Sequence, residues 1–168
     1  MNVFISYSVG DGDLVKQIAA AITPFAQARY WENDKVTGEE AWKTIFGWID
    51  EADLVLAVIT DKTVARGLSV GQEIGHAKAK GKLILPMVGE GIPATDLGCL
   101  GGITYETVSK DDPSSAIQRI SVRIAEAKQQ KDAKAVILAI CGFIALLYAI
   151  SGNGNAKSSL PMKPVTIW

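Results

Sequence analysis

Cysteine and histidine are scarce in this sequence, and their scarcity excludes two kinds of centre. Its 168 residues include two cysteines, Cys99 and Cys141, and one histidine, His76. Because Cys141 lies in a very apolar run, we expect no disulfide framework and a reducing compartment. His76 has no second histidine or cysteine at ligand spacing, so the sequence predicts no zinc site or other metal centre.

An excess of either charge is also absent. The chain carries 17 lysines and arginines against 18 aspartates and glutamates, which gives a formal net charge of -1 at pH 7. Its basic residues are spread along the sequence, whereas proteins that bind nucleic acid through phosphate contacts concentrate them on one surface. We therefore expect no nucleic-acid partner.

Charge is missing altogether from one long segment. No charged residue occurs from Ala135 to Ala156, and Ala135–Ile150 is almost wholly apolar. The uncharged stretch would span about 33 Å as a helix, against a hydrocarbon core of about 30 Å. The sequence therefore predicts a single-pass membrane anchor, and the flanking lysines place the preceding domain on the cytoplasmic side. The alternative is a buried helix or a seam between subunits.

The first 130 residues alternate between strand and helix signals. The strand-like runs are Val3–Tyr7, Ala28–Glu32, Leu54–Ile59, Leu83–Val88 and Gly102–Tyr105. Apolar residues at helical spacing occur between most of them. Repeated strand–helix units predict an α/β fold, with a five-stranded parallel sheet and helices on both faces. We divide the chain into an α/β domain over residues 1–130, a transmembrane or apolar helix over 131–151 and a flexible tail over 152–168.

Glu73 is the most informative single residue. Ser69 followed by Gln72 forms a capping box, which predicts a helix that begins there and carries Glu73 near its start. Ligands of parallel sheets bind beyond the carboxyl ends of the strands, where this helix begins. A fixed carboxylate at that edge could stabilise a cation that forms on a ligand. The alternative is a solvated helical glutamate that gains slightly from the helix dipole.

The order of these motifs resembles a bacterial Toll/interleukin receptor (TIR) domain over about residues 1–130. Val3-Phe4-Ile5-Ser6-Tyr7-Ser8 is similar to the opening strand of the family, and Tyr30-Trp31-Glu32-Asn33-Asp34 is similar to its second strand and the loop that follows. Ala52–Thr60 resembles the third strand. Glu73-Ile74-Gly75-His76-Ala77 resembles the helix that carries the family's catalytic glutamate. The resemblance implies a flavodoxin-like sheet.

The resemblance also implies a function. In catalytic members, a glutamate at the position of Glu73 acts on the ribose of NAD⁺, and the products are nicotinamide and a linear or cyclised ADP-ribose species. We therefore expect an NAD⁺ glycohydrolase or ADP-ribose cyclase of bacterial antiphage defence, with NAD⁺ as substrate and no cofactor. Homotypic TIR–TIR self-association is also implied. The alternative is a non-catalytic TIR scaffold that assembles with other TIR domains at a membrane.

On this basis, the candidate substrate-binding residues are Ser6, Tyr7, Trp31, Lys35, Trp42 and Ser69. The hydroxyls of Ser6 and Tyr7 could meet a phosphate or ribose, or could cap the turn that follows the first strand. Trp31 and Trp42 could stack on a nicotinamide or adenine ring, although Trp42 also fits the core. Ser69 stands where the family often has tryptophan, and the loop with Lys35 mediates subunit contact in the family.

Overall fold

The computed structural model describes residues 1–31, 39–64 and 68–152 of the chain. The chain forms two compact units, Met1–Lys128 and Gln129–Trp168. The first unit contains the whole sheet, and it is the unit that positions the candidate site.

Five parallel strands form one sheet, which confirms the predicted α/β architecture. They are β1 (Asn2–Ser6), β2 (Gln27–Tyr30), β3 (Leu54–Ile59), β4 (Leu83–Gly89) and β5 (Glu106–Val108). Their order in the sheet is β2-β1-β3-β4-β5, and every neighbouring pair is parallel. The order reverses at β1, because the chain first moves to β2 on one side and then to β3 on the other. Ligands of such sheets bind near this reversal, beyond the carboxyl ends of the strands.

Helices cover both faces of the sheet. The α-helices are α1 (Gly12–Ile22), α2 (Glu39–Glu51), α3 (Asp61–Val64), α4 (Leu68–Ala79) and α5 (Ser114–Gly152). Val3 of β1 packs in one hydrophobic cluster with Ile18 of α1 and Ile120 of α5. Phe4, the next residue, packs in a cluster on the other face with Ile49 of α2. This alternation follows from the two-residue period of a strand, and it explains why β3 is buried at every position.

The last strand begins later than the sequence indicates. The expected strand was Gly102–Tyr105, whereas β5 is Glu106–Val108. A 3-10 segment over Ala94–Leu100 precedes it, and Gly102 has a φ of 82°. A positive φ is a turn conformation that glycine adopts readily, so the chain is still turning where the strand was expected.

The C-terminal prediction of a membrane anchor is wrong. Within residues 1–31, 39–64 and 68–152, no helix is both long enough and apolar enough to cross a membrane. The apolar run is instead the end of α5, a helix that starts at Ser114 and stops at Gly152 among the described residues. The described part of the uncharged stretch, from Ala135 to Gly152, is about 27 Å long as a helix, which is less than a hydrocarbon core of about 30 Å. The single-pass topology, the membrane contact through Ala135–Ile150 and the cytoplasmic-side localisation are corrected accordingly.

Candidate functional site

Glu73 is a buried carboxylate, not the exposed one that a first-turn position suggests. It lies in the second turn of α4, on the stripe of buried residues that also includes Val70, Ile74 and Ala77. Its exposed fraction is 8%. Burial raises the pKa of Glu73 from 4.5 to about 7, and a hydrogen bond from Ser6 opposes that rise. A group with this pKa changes its charge near neutral pH.

Ser6 provides the contact that connects Glu73 to the sheet. The Ser6 hydroxyl donates a hydrogen bond of 2.5 Å to Oε2 of Glu73, across 67 residues of sequence. Ser6 is the last residue of β1 and is aligned with Ala57 of β3. Because β1 and β3 are where the strand order reverses, the Glu73 carboxylate lies at the edge where parallel sheets bind ligands.

Tyr7 and Trp31 join the ends of two neighbouring strands. The Tyr7 hydroxyl donates to the backbone carbonyl of Trp31, just beyond β2. The Tyr7 ring meets the Tyr30 ring edge-on at 6.2 Å. The Trp31 ring packs against Trp48 of α2, with ring centres 5.7 Å apart. These contacts anchor the chain where it leaves β2. Lys35 lies outside the described residues.

A row of aromatic rings connects α2 to the helix of Glu73. Trp42 and Phe46 of α2 have ring centres 5.4 Å apart. Phe46 stacks on His76 of α4 at 4.4 Å, with an interplanar angle of 18°. His76 Nε2 lies 2.9 Å from Oδ1 of Asp50, which fixes the imidazole over Phe46. His76 lies one turn after Glu73 on α4, so this row of rings joins α2 to the helix that carries the carboxylate.

Ser69 was expected to bind the substrate, and no metal site was expected. Ser69 is exposed and lies inside α4, one turn before Glu73, because the helix begins at Leu68. In the part of the chain that the structure describes, no group of three or more His, Cys, Asp or Glu side chains could hold a metal ion.

A second polar cluster lies at the same edge of the sheet, and the sequence interpretation did not identify it. Thr60 Oγ1 donates a hydrogen bond of 2.6 Å to Oδ2 of the buried Asp11. Lys62 Nζ lies 3.4 Å from the other oxygen of Asp11 and donates to the carbonyl of Gly10 at 2.6 Å. Asp11, Thr60 and Lys62 border a cavity of about 470 Å³. Asp11 follows β1 and Thr60 follows β3. Polar residues that follow neighbouring parallel strands are expected to meet at one edge of the sheet, so the sequence could have indicated this cluster.

The fold and site define a flavodoxin-like parallel α/β protein with a buried carboxylate at the strand-order reversal. A family model described as "TIR domain" matches residues 3–121. The chain therefore belongs to the TIR domain family. This membership accounts for the order of the motifs along the first unit.

Two solved structures are similar to this chain at low sequence identity. The CMP N-glycosidase BcmB of Clostridium botulinum superposes with a TM-score of 0.52 at 17% identity, over 73% of this chain and 99% of that one. A 2-deoxyribosyltransferase from Bacillus psychrosaccharolyticus gives a TM-score of 0.48 at 14% identity, over 62% of this chain and 85% of that one. At 17% identity the likeness to BcmB shows the fold alone. No curated protein was found to match the chain.

Proposed function

We propose that this TIR domain cleaves the N-glycosidic bond between nicotinamide and ribose in NAD⁺, with Glu73 as the catalytic carboxylate. The observation that carries the proposal is the placement of a buried, hydrogen-bonded carboxylate at the strand-order reversal of a TIR fold. The role in antiphage defence is proposed from family membership.

One carboxylate is sufficient for this chemistry. When the bond from ribose C1′ to the nicotinamide nitrogen breaks, its electron pair moves to the ring nitrogen and neutral nicotinamide leaves. No general acid is needed, because the leaving group is already cationic in the substrate. The ribose passes through an oxocarbenium-like state, as in glycoside hydrolysis. Water then adds to C1′ and loses a proton, which gives linear ADP-ribose. Alternatively, a nucleophilic atom elsewhere in the same ADP-ribosyl group attacks C1′ and closes a ring.

Burial makes an ionised Glu73 effective at this step. A negative charge stabilises a developing oxocarbenium ion more strongly where water is excluded, because the local dielectric constant is lower. The same burial raises the pKa of Glu73 to about 7. A cationic nicotinamide ring beside the carboxylate would favour ionisation, so substrate binding itself would promote the active charge state.

The aromatic row is a surface that could take the place of the tryptophan missing at Ser69. Trp42 is half-buried, so part of its ring is open to solvent at one end of the row. We propose that Trp42 contacts the nicotinamide or adenine ring of the substrate by stacking. Tyr7, Trp31, Lys35 and Ser69 remain proposals for substrate binding.

The name of one structurally similar protein, BcmB, supports cleavage of an N-glycosidic bond as the class of reaction. BcmB is named as a CMP N-glycosidase, an activity that breaks an N-glycosidic bond. This is an analogy at the level of the fold, which supports N-glycosidic chemistry and leaves the substrate to be tested.

The test is release of nicotinamide from NAD⁺ by the full chain, at several protein concentrations, for wild type and Glu73→Gln. We expect turnover to fall at least about 100-fold in the variant, equivalent to about 2.7 kcal/mol of transition-state stabilisation. Glutamine keeps the shape and the acceptor for Ser6 but removes the charge. Glu126→Gln is the matched control, because Glu126 is an exposed glutamate on α5. Near-normal cleavage by Glu73→Gln would remove Glu73 from the mechanism, and an inactive wild type at all concentrations would favour the TIR scaffold.

A further inference from the structure

Ser6 is poorly placed to touch a substrate but well placed to control Glu73. Its exposed fraction is 0%, and its hydroxyl is 2.5 Å from the Glu73 carboxylate. It ends β1, which is paired on both sides, with β2 and with β3. A serine side chain has one rotatable bond to its oxygen, so a fixed backbone limits the hydroxyl to three staggered positions. The hydrogen bond to Glu73 selects one of them.

We propose that Ser6 is a positioning residue, which holds Oε2 of Glu73 so that the other carboxylate oxygen serves the reacting ribose. The proposal rests on the proposed function of Glu73. It replaces the expectation that Ser6 binds the substrate directly.

The chemistry of the donor explains why a serine suits this position. A lysine or arginine at the same place would ionise Glu73 but would also neutralise the negative field that an oxocarbenium-like state needs. A hydroxyl is neutral, so it stabilises the ionised carboxylate and leaves its net charge in place. In keeping with this, the Ser6 hydrogen bond lowers the pKa of Glu73, against the larger effect of burial.

The other titratable side chains that the structure describes on α2 and on the 3-10 segment beside α4 are exposed, and Glu40, Lys43 and Glu51 of α2 are among them. Strands β1, β3 and β4 contain no titratable side chain. From α2, Asp50 pairs with His76 at 2.9 Å and with Lys80 at 3.2 Å. The 3-10 segment beside α4 carries Asp96 and Cys99, both exposed. A pH effect of changing Ser6 is therefore expected to arise at Glu73.

The experiment uses the full chain with Ser6→Ala, and with Ser8→Ala as the matched control. Ser8 is also a buried serine just after β1. Two quantities are measured: the pH profile of kcat/KM for NAD⁺, and the titration of the Glu73 carboxyl by ¹³C NMR, with its signal assigned by its loss in Glu73→Gln. The second measurement does not depend on activity.

For Ser6→Ala, we expect both midpoints to move to higher pH by about one unit, because an ionised carboxylate loses a hydrogen bond. We expect kcat to fall about tenfold or more, with a smaller change in KM. Ser6→Thr keeps the hydroxyl and should restore the midpoint. Ser8→Ala should leave both midpoints unchanged. If Ser6→Ala does not fold, Ser6→Cys, a weaker donor, should give a shift in the same direction.

The outcomes separate this proposal from the proposed function. A Ser6→Ala protein that titrates and turns over like wild type overturns the positioning role and leaves Glu73 catalysis intact. Loss of stability with unchanged midpoints and kcat also overturns it, because a purely structural hydrogen bond would behave in that way. A shifted NMR midpoint together with an active Glu73→Gln protein overturns the proposed function while confirming that Ser6 controls the Glu73 charge.

Discussion

The Glu73 carboxyl group couples the charge of the site to the stability of the domain. In the folded protein its pKa is raised from 4.5 to about 7, mainly by burial. Between these two pH values, the folded state holds a proton that the unfolded state has released. Folding is therefore favoured at low pH by this group, and the advantage disappears as the pH rises through 7. This is the reverse of the usual effect of a salt-bridged carboxylate.

We therefore predict that the Glu73 contribution to the free energy of unfolding falls between pH 4.5 and pH 7. The decrease is on the order of 3 kcal/mol, because each unit of pKa difference between the folded and unfolded states is equivalent to about 1.4 kcal/mol. Glu73→Gln cannot ionise, so it should lose this part of the pH dependence and be more stable than wild type at pH 8. Urea unfolding at pH 5 and pH 8 measures the difference. If the variant is less stable than wild type at pH 8, ionisation of Glu73 does not destabilise the folded state, and the prediction is wrong.

Activity should rise with pH over the range in which the Glu73 contribution to stability falls. If ionised Glu73 is the catalytic form, kcat/KM should rise with pH and level off above about 7, because kcat/KM reports the free enzyme. The rising limb of kcat should lie at lower pH, since a bound cationic nicotinamide favours the carboxylate. Initial rates from pH 5 to pH 9 at low and saturating NAD⁺ measure both limbs. A profile that is flat through pH 7 would assign the critical ionisation to another group.

At the scale of elements, the site depends on how the helices are held against the two faces of the sheet. The cluster on the α1 and α5 face includes Ile18, Leu56 and Ile120, all fully buried. It fixes β1 and β3 from behind, while α2 and α4 cover the other face. This packing of helices on both faces of the sheet sets the positions of Ser6 at the end of β1 and Glu73 on α4. Packing on the α1 and α5 face therefore supports the strands whose ends carry the site.

Ile120→Ala should lower the free energy of unfolding by about 2–5 kcal/mol, because it leaves a cavity in a close-packed core. Ile120 is 0% exposed, whereas Val122 on the same helix is 52% exposed. Val122→Ala is thus the control and should change stability by no more than about 0.5 kcal/mol. Chemical denaturation followed by circular dichroism measures both. Equal effects of the two substitutions would show that α5 does not pack on the sheet through Ile120.

At the scale of the whole molecule, the open question is whether one chain forms a complete site. Membership of the TIR family makes TIR–TIR association plausible, and the loop with Lys35 is the proposed contact. The contact itself stays a prediction from the sequence, because Lys35 lies outside the ranges given above. Self-association that completes the site would make activity per subunit rise with protein concentration.

If this loop docks against a neighbouring subunit, Lys35→Glu should weaken self-association and lower activity per subunit together. Lys16→Glu is the control of equal charge change, because Lys16 is an exposed residue of α1. Light scattering and turnover over a concentration series measure both quantities. Constant activity per subunit at all concentrations would indicate a site complete within one chain.

Local patterns in the sequence were sufficient to predict most elements of the first unit, although the fifth strand was expected at Gly102–Tyr105 and lies at Glu106–Val108. Strand alternation and helical spacing depend on residues a few positions apart, so they predicted the five parallel strands and the helix of Glu73. The strands and Glu73 helix also supported the TIR resemblance, which the family match to residues 3–121 confirms. The uncharged C-terminal run was equally visible, but its composition alone did not determine that it continues α5, and the inferred anchor was wrong.

Only the tertiary structure decided the properties that matter for chemistry. The hydrogen bond from Ser6 to Glu73 joins residues 67 positions apart, and no local pattern encodes it. The burial of Glu73, and with it a pKa of about 7, follows from which face of α4 packs on the sheet. The aromatic row exists because α2 and α4 lie side by side, as the stacking of Phe46 on His76 shows. These features depend on long-range packing, so they could be identified only after the chain was folded.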